Sequence, residues 1–307
     1  MEATVQQHFQ FLEKPDLHKP SWISSFVGWA DAQEGASASI RYLVRHLGAT
    51  KFAEIDPEEF YDFTLVRPIN FTNSEGKRQM RWPSNEFYYW KSPDHTQDLI
   101  IFQGTEPNLK WKTYMNTIFS VISGYDMQLL VNLGSLLDAL PHTRDPLLSA
   151  SVNKDELRSR IEGVRIRTGG GNYQGPAGIT AAFTEQVNRN NLNLISLRGH
   201  SPHYVQQSPN WKVVKALIAQ INGIYPLNLS LDDLEQKGKV FETEVTRAVA
   251  GNVEASAYVK RLERQYDENV GSNAVQEELP SGKTFVEEVE KFLRGGDQPG
   301  QQPFRNT

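Results

Sequence analysis

The chain has 307 residues, a formal net charge of −5, 38% hydrophobic residues and no cysteine. Such a chain can bury a full hydrophobic core, and the absence of cysteine excludes disulfides, thiolate metal sites and cysteine nucleophiles. Acidic and basic residues alternate along the chain, whereas nucleic-acid-binding proteins concentrate basic charge on one face. No nucleic-acid partner is therefore expected.

No segment approaches the roughly 18 consecutive apolar residues of a membrane span. Residues 1–15 also lack the positive start and the apolar run of a signal peptide. We therefore expect no export and no membrane partner, and the predicted location is cytoplasmic.

The first two hundred residues alternate short apolar runs with amphipathic ones, which indicates strands laid beside helices in an α/β fold. The run between residues 63 and 91 is β-like without helices, so we predict an antiparallel hairpin or flap and a mixed sheet. The other predicted elements, in chain order, are strand 22–28, helix 34–47, strand 51–55, strand 98–102, helix 109–123, strand 127–133, helix 177–190, strand 192–197 and helix 211–222.

From residue 230 onward the pattern typical of strands disappears. Three stripes follow, each a set of apolar residues at helical spacing. Ser230 and Asp233 are spaced as a capping box before the first stripe. The stripes are Leu234, Phe241, Val245 and Val249, then Tyr258, Leu262 and Tyr266, then Phe285, Val289 and Phe292. We predict an α/β core domain over 1–226, a helical C-terminal extension over 227–294, and a disordered tail over 295–307.

Several motifs follow one another through the chain: GWADAQEGAS (28–37), EIDPEEFYDFTLVRP (54–68), GTEPNLKW (104–111), LPHTR (140–144), YQGPAGI (173–179) and PHYV (202–205). Two closing segments, AYVKRLERQYDE (257–268) and LPSGKTFVEEVEKFLR (279–294), complete the set. Together they resemble the proteasome-assembly-chaperone-2 family, in particular its longer bacterial members.

This resemblance implies a three-layer α/β core with a mixed sheet, similar to the phosphorylase/hydrolase-like fold, followed by the helical extension. It also implies a self-associating cyclic homo-oligomer, with a trimer as the expected size. It implies no reaction, because folds of this type carry many activities. Gln33 departs from the family pattern, in which a small residue follows Asp-Ala, so the shape of that turn is left open.

Open α/β sheets bind ligands beyond the carboxyl ends of their strands, so the turns after the strands hold the candidate site. The ligand-binding candidates are Asp31, Glu106, Asn108, His142, Arg144 and His203. A carboxylate, an imidazole and a guanidinium in one cleft could perform acid–base chemistry on a bound anion. The alternative, which the residues favour, is structural: Asp31 and Glu106 cap helices or lie in their first turns, and Arg144 pairs with one of them or with Asp138 or Asp145.

The remaining motifs support no specific functional site. The pair His200 and His203 is separated by a proline and has no thiol to complete a zinc set, so no metal site is predicted. The glycine-rich stretches 168–171 and 174–178 match neither nucleotide-binding fingerprint, and no cofactor is predicted. The Gly-x-Ser-x-Gly elbow of α/β hydrolases does not occur.

Two functional hypotheses remain. The first is a self-associating interaction or assembly-chaperone-like factor, whose partners are copies of itself, another protein or a small anionic ligand. The second is a small-molecule enzyme, hydrolase-, phosphorylase- or ATP-dependent-ligase-like, that uses a cleft at the C-terminal edge of the sheet.

Overall fold

The computed structural model describes residues 8–94, 96–161, 164–166 and 174–271. Within these residues the strands and α-helices are, in chain order, β1 Phe9–Phe11, β2 Ser21–Val27, α1 Gly35–Leu47, β3 Thr50–Ile55, β4 Ile69–Thr72, β5 Arg78–Arg81, β6 Glu86–Trp90, β7 Leu99–Thr105, α2 Trp111–Ile122, β8 Leu130–Asp138, β9 Leu148–Val152, β10 Arg165–Ile166, α3 Ile179–Arg189, β11 Leu194–Pro202, α4 Trp211–Ile224, α5 Asp232–Ala250 and α6 Val253–Gly271.

Nine strands form one mixed sheet in the order β1-β3-β6-β7-β2-β8-β11-β9-β10. The central strands β7, β2, β8 and β11 are parallel, whereas β1, β3 and β6 on one side pair antiparallel, as do β9 and β11 on the other. Leu99, Ile100, Ile101 and Phe102 are all buried. Such continuous apolar runs are typical of parallel strands that are covered on both faces. The predicted mixed α/β sheet is confirmed.

Neighbouring residues of β2 show how the sheet is covered. Ile23 packs in a cluster with side chains of α1 and α4, whereas Trp22 packs in a second cluster with side chains of α2 and α3. Because successive side chains of a strand point to opposite faces, helices lie on both sides of the sheet. The core therefore has the predicted three layers, and its likeness to the phosphorylase/hydrolase-like fold stays a prediction.

Three central strands run past their predicted ends. β7 continues to Thr105, β8 to Asp138 and β11 to Pro202. The parallel register pairs Arg198 with Gly134 and Pro202 with Asp138, so the backbone ladder continues where the apolar run has stopped. The predicted strand ends at 133 and 197 are therefore wrong, and residues 134–138 and His200, which those ends left in loops, lie within β8 and β11. Strands β1, β9 and β10 were not predicted.

Helices α5 and α6 confirm the first two C-terminal stripes. The predicted capping box differs in detail, because the Ser230 hydroxyl accepts from the backbone N–H of Asp232. Leu234 of α5 lies in the cluster that covers one face of the sheet, and Lys215 of α4 pairs with Glu235. The compact unit that contains the sheet extends to Glu263. The third stripe and the tail 295–307 lie outside the described residues, and the domain limits at 226 and 294 stay predictions.

No helix in the described part of the chain combines the length and the apolar character that crossing a membrane requires.

Candidate functional site

The four parallel strands end at one edge of the sheet, and the candidate residues lie in the segments that follow them. Asp31 follows β2, Glu106 and Asn108 follow β7, His142 and Arg144 follow β8, and His203 follows β11. The predicted convergence of these segments is thus present. Which of these side chains binds a ligand stays a prediction, but the structure shows what each one contacts.

Asp31 holds the start of α1. Its Oδ1 accepts hydrogen bonds from the backbone N–H groups of Ala36 at 2.9 Å and Ser37 at 3.1 Å. The Ser135 hydroxyl lies 3.4 Å from the same oxygen. Burial raises the pKa of the Asp31 carboxyl, and its Oδ2 has no hydrogen-bond partner among the described residues. These contacts agree with the helix-capping interpretation.

Glu106 and Asn108 make similar contacts to the backbone. Glu106 accepts from the N–H of Ile179, the first residue of α3, at 2.8 Å, and from the N–H of Trp29 at 3.1 Å. Asn108 accepts from the N–H of Asp62 at 3.1 Å. Both side chains therefore connect the end of β7 to neighbouring segments.

Gln33 explains the turn that its residue type left open. Its backbone lies in the left-handed region, with φ of 50°. The side-chain amide donates to the carbonyls of Pro202 at 2.7 Å and Val205 at 2.6 Å, and its oxygen accepts from Asn210 at 2.9 Å. A small residue could not make these contacts, so Gln33 connects the turn after β2 to the end of β11.

His142, Arg144 and His203 contact the C-terminal helices. The ring of His142 lies between the Tyr204 hydroxyl at 2.7 Å and the Thr246 hydroxyl of α5 at 3.0 Å. Arg144 Nη1 lies 3.5 Å from Glu263 Oε1 of α6. His203 Nε2 lies 3.2 Å from the Tyr258 hydroxyl, also on α6. These three candidates therefore connect the edge of the sheet to α5 and α6.

A small cavity lies beneath these contacts. Its volume is about 10 Å³, which is room for one water molecule. The lining includes His142, Arg144, His200, Asn210, Lys212 and Phe241. This cavity is too small to hold a metabolite.

We expect acid to weaken the docking of α5. Burial is the main reason that the pKa of His142 is lowered, and Lys212 adds to the effect while Glu242 and Glu263 oppose it. The unfolded chain has the ordinary pKa of about 6.5, so it binds protons more readily than the folded state. The stabilisation by neutral His142 is complete above that value and is lost as the pH falls through the lower folded-state pKa.

Melting temperatures measured between pH 8 and pH 5 test this expectation. The wild-type protein should lose more stability over this range than the His142→Gln variant, which has no imidazole to protonate. Equal slopes for the two proteins would contradict it.

The sequence did not reveal two further features of the structure. One is a chain of hydrogen bonds through Ser149, His200 and Asp138, which come from three different strands. The other is a hairpin arm, defined here as β4, β5 and the residues between and beside them, 65–82. Ser149 lies in an unpredicted strand and carries no elbow motif, so no sequence signal identified it. The hairpin itself was predicted, but its exposure was not.

The chain matches known proteins in sequence and in structure. The model of the PAC2 family matches residues 25–249. A PAC2 family protein from Streptomyces avermitilis is 27% identical, with a TM-score of 0.68 over 78% of this chain and 99% of that one. A Mycobacterium tuberculosis proteasome-assembly chaperone homologue is 28% identical, with a TM-score of 0.67 over 78% of this chain and 99% of that one.

A further match shows the fold alone. A Corynebacterium glutamicum protein of unknown function has a TM-score of 0.76 at 20% identity, over 86% of this chain and 98% of that one. No curated protein matches the chain significantly.

Proposed function

Because this chain belongs to the PAC2 family, we propose that it is a self-associating interaction factor of the assembly-chaperone kind. The mycobacterial relative described as a proteasome-assembly chaperone homologue supports the assembly part of this proposal. The observation that carries the self-association part is the hairpin arm.

The hairpin arm exposes large apolar side chains that a monomeric protein would be expected to bury. Every residue of β4 and β5 is exposed, and the two strands form a sheet of their own. Its large apolar side chains and their exposed fractions are Leu65 72%, Ile69 53%, Met80 53%, Trp82 44% and Phe71 38%. The register pairs Asn70 with Met80, so Met80 lies on the opposite face of the hairpin from Ile69 and Phe71. A two-stranded hairpin is at best marginally stable alone, so exposed apolar side chains on both of its faces indicate that a partner packs around it.

Charge favours a second copy of this chain as the occupant of the arm. The arm contains one acid, Glu75, and four basic residues, Arg67, Lys77, Arg78 and Arg81, whereas the whole chain has a net charge of −5. A positive arm on a negative protein is attracted to another copy of the same protein. An arm that packs on a different surface of the next copy forms a heterologous interface, which closes into a ring such as the expected trimer.

The mass in solution tests this proposal. We expect light scattering at micromolar concentration to give three times the chain mass of 34.8 kDa. The double variant Phe71→Ser, Met80→Ser should be monomeric, because it replaces two exposed apolar contacts with polar groups. Val253→Ser, at a position 86% exposed outside the arm, should keep the wild-type mass.

Two results would overturn the proposal: a monomeric wild-type protein, or an arm variant with unchanged mass. The same variants also test the assembly role. If the self-associated form assists assembly, wild-type protein and Val253→Ser should speed ring formation by mycobacterial proteasome subunits, and the arm variant should not.

A further inference from the structure

Three polar side chains on adjacent strands form one continuous hydrogen-bonded chain. The Ser149 hydroxyl of β9 lies 2.7 Å from His200 Nε2 of β11. The other ring nitrogen, Nδ1, lies 2.8 Å from Asp138 Oδ2 at the end of β8. Ser149 is 5% exposed and His200 6%, so solvent competes little for these hydrogen bonds.

The order of these groups matters chemically. A hydroxyl on Nε2 and a carboxylate on Nδ1 is the arrangement in which histidine takes the serine proton while the carboxylate holds the ring. This constellation is recognised by its geometry on unrelated folds and does not depend on chain order. Here the sheet order β8-β11-β9 places the histidine strand between the other two.

Asp138 is suited to the orienting role. Burial alone would raise the pKa of its carboxyl, but the hydrogen bond and the charge interaction with His200 outweigh burial, so the pKa is lowered. The N–H of Ala139 also donates to this carboxylate, at 2.7 Å. Asp138 therefore stays ionised near neutral pH and can stabilise a protonated His200.

A cation lies on the same face of the sheet. Arg198 and His200 are two residues apart on β11, so their side chains share a face. The Arg198 guanidinium crosses Gly134 of β8, where a Cβ atom would lie 2.2 Å from Nη1. This buried Nη1 has no acceptor among the described residues, and the same holds for Nδ2 of the fully buried Asn132, two residues before Gly134.

Two buried donors without partners are costly unless a ligand accepts from them. Arg198 is a cation, so the ligand group that fits is an anion such as a carboxylate. Gly134 and Ser149 are two strand spacings apart, roughly 10 Å. A short linear molecule could therefore place an anionic end at Arg198 and an ester carbonyl at Ser149.

We propose that Ser149, His200 and Asp138 form a serine acyl-hydrolase site for small esters whose acyl group ends in a carboxylate, with Arg198 and Asn132 as the carboxylate anchor. Ser149 Oγ bonds to the carbonyl carbon while its proton moves to His200 Nε2. The carbon–oxygen bond of the ester then breaks, and the alcohol leaves with that proton. A water oxygen, deprotonated by His200, then bonds to the carbonyl carbon of the acyl-serine. The bond from that carbon to Ser149 Oγ breaks, His200 returns the proton to Oγ, and the diacid leaves.

A fluorophosphonate probe tests the nucleophile directly. We expect the wild-type protein to be labelled at Ser149, as mass spectrometry of the peptide would show, and Ser149→Ala to be unlabelled. His200→Ala should be labelled about 100-fold more slowly, the usual loss when a general base is removed. Ser151→Ala is the matched control, because Ser151 lies two residues further along β9 on the same face but is exposed. It should be labelled like the wild type.

The expected substrate preference tests the anchor. The wild-type protein should hydrolyse the mono-p-nitrophenyl ester of adipate faster than p-nitrophenyl acetate, and Arg198→Met should lose that preference. For Asp138, which positions His200 and touches no substrate, the Asp138→Asn variant should change the pH profile of labelling as well as its rate.

Cysteine variants keep the proposal testable if Ser149→Ala folds poorly. The natural chain has no cysteine, so Ser149→Cys would carry a single thiol. A thiol beside His200 forms thiolate more readily, and we expect iodoacetamide at pH 7 to alkylate it about tenfold faster than Ser151→Cys. If folded wild-type protein is not labelled at Ser149 and Ser149→Cys is alkylated no faster than Ser151→Cys, the three residues only brace the strands and the proposal fails.

Discussion

The Phe241→Ala variant is expected to lose about 3–5 kcal/mol of unfolding free energy, as large-to-small changes of buried aromatic residues do. Phe241 of α5 is 1% exposed and forms a small apolar cluster with Val205 and Val245. Removing its ring leaves a cavity between α5 and the end of β11. Urea unfolding followed by circular dichroism gives the free energy of unfolding. The substitution should also increase the rate of amide hydrogen exchange more in α5 than in β2.

Val240 provides the matched control for Phe241. It is the preceding residue of the same helix but is 57% exposed. Val240→Ala should therefore change stability by no more than about 0.5 kcal/mol, the usual range for surface substitutions. A loss below about 1 kcal/mol in Phe241→Ala would show that α5 is not held by this cluster.

The Trp22→Ala variant is expected to lose a similar 3–5 kcal/mol or so, for the same physical reason at the centre of the sheet. Trp22 is fully buried in β2 and stacks on Phe102, with ring centroids 5.5 Å apart. Its indole N–H has no partner among the described residues. Trp22→Phe, which loses ring area but no hydrogen bond, should therefore cost clearly less than Trp22→Ala.

Trp29 is the matched control for Trp22. It follows the same strand by two residues and is 67% exposed, so Trp29→Ala should change the unfolding free energy by no more than about 0.5 kcal/mol. Fluorescence also distinguishes the two alanine variants. Trp22→Ala removes a buried indole, which emits at short wavelength, whereas Trp29→Ala removes an exposed one. Similar losses for both alanine variants would contradict the packing described here.

The candidate site could be predicted only in outline. The segments after β2, β7, β8 and β11 do meet at one edge, because parallel strands present their carboxyl ends together. The partners of the side chains could not be predicted. Arg144 Nη1 lies 3.5 Å from Glu263 Oε1, and Asp138 interacts with His200; neither of these contacts was predicted. Such partners are far apart in sequence and depend on how α6 meets the sheet.

The strand ends show the same limit at a smaller scale. The runs of apolar residues located β8 and β11 in the sequence. Each run stops, at Gly134 in β8 and at Arg198 in β11, before its strand ends. A strand continues for as long as its backbone has a partner, whatever its side chains are. In β11 that partner is β8, as far as Pro202.

The sequence by itself determined the element types, the mixed α/β class, the helical character after residue 230 and the family. Hydrophobic periodicity predicts the first three of these properties, because a window of about ten residues shows which face of an element is buried. The tertiary structure alone decided which polar groups meet. Ser149 and His200 are 51 residues apart, and His142 and Thr246 are 104 apart. Their contacts exist because of the strand order and helix packing, which no local pattern encodes.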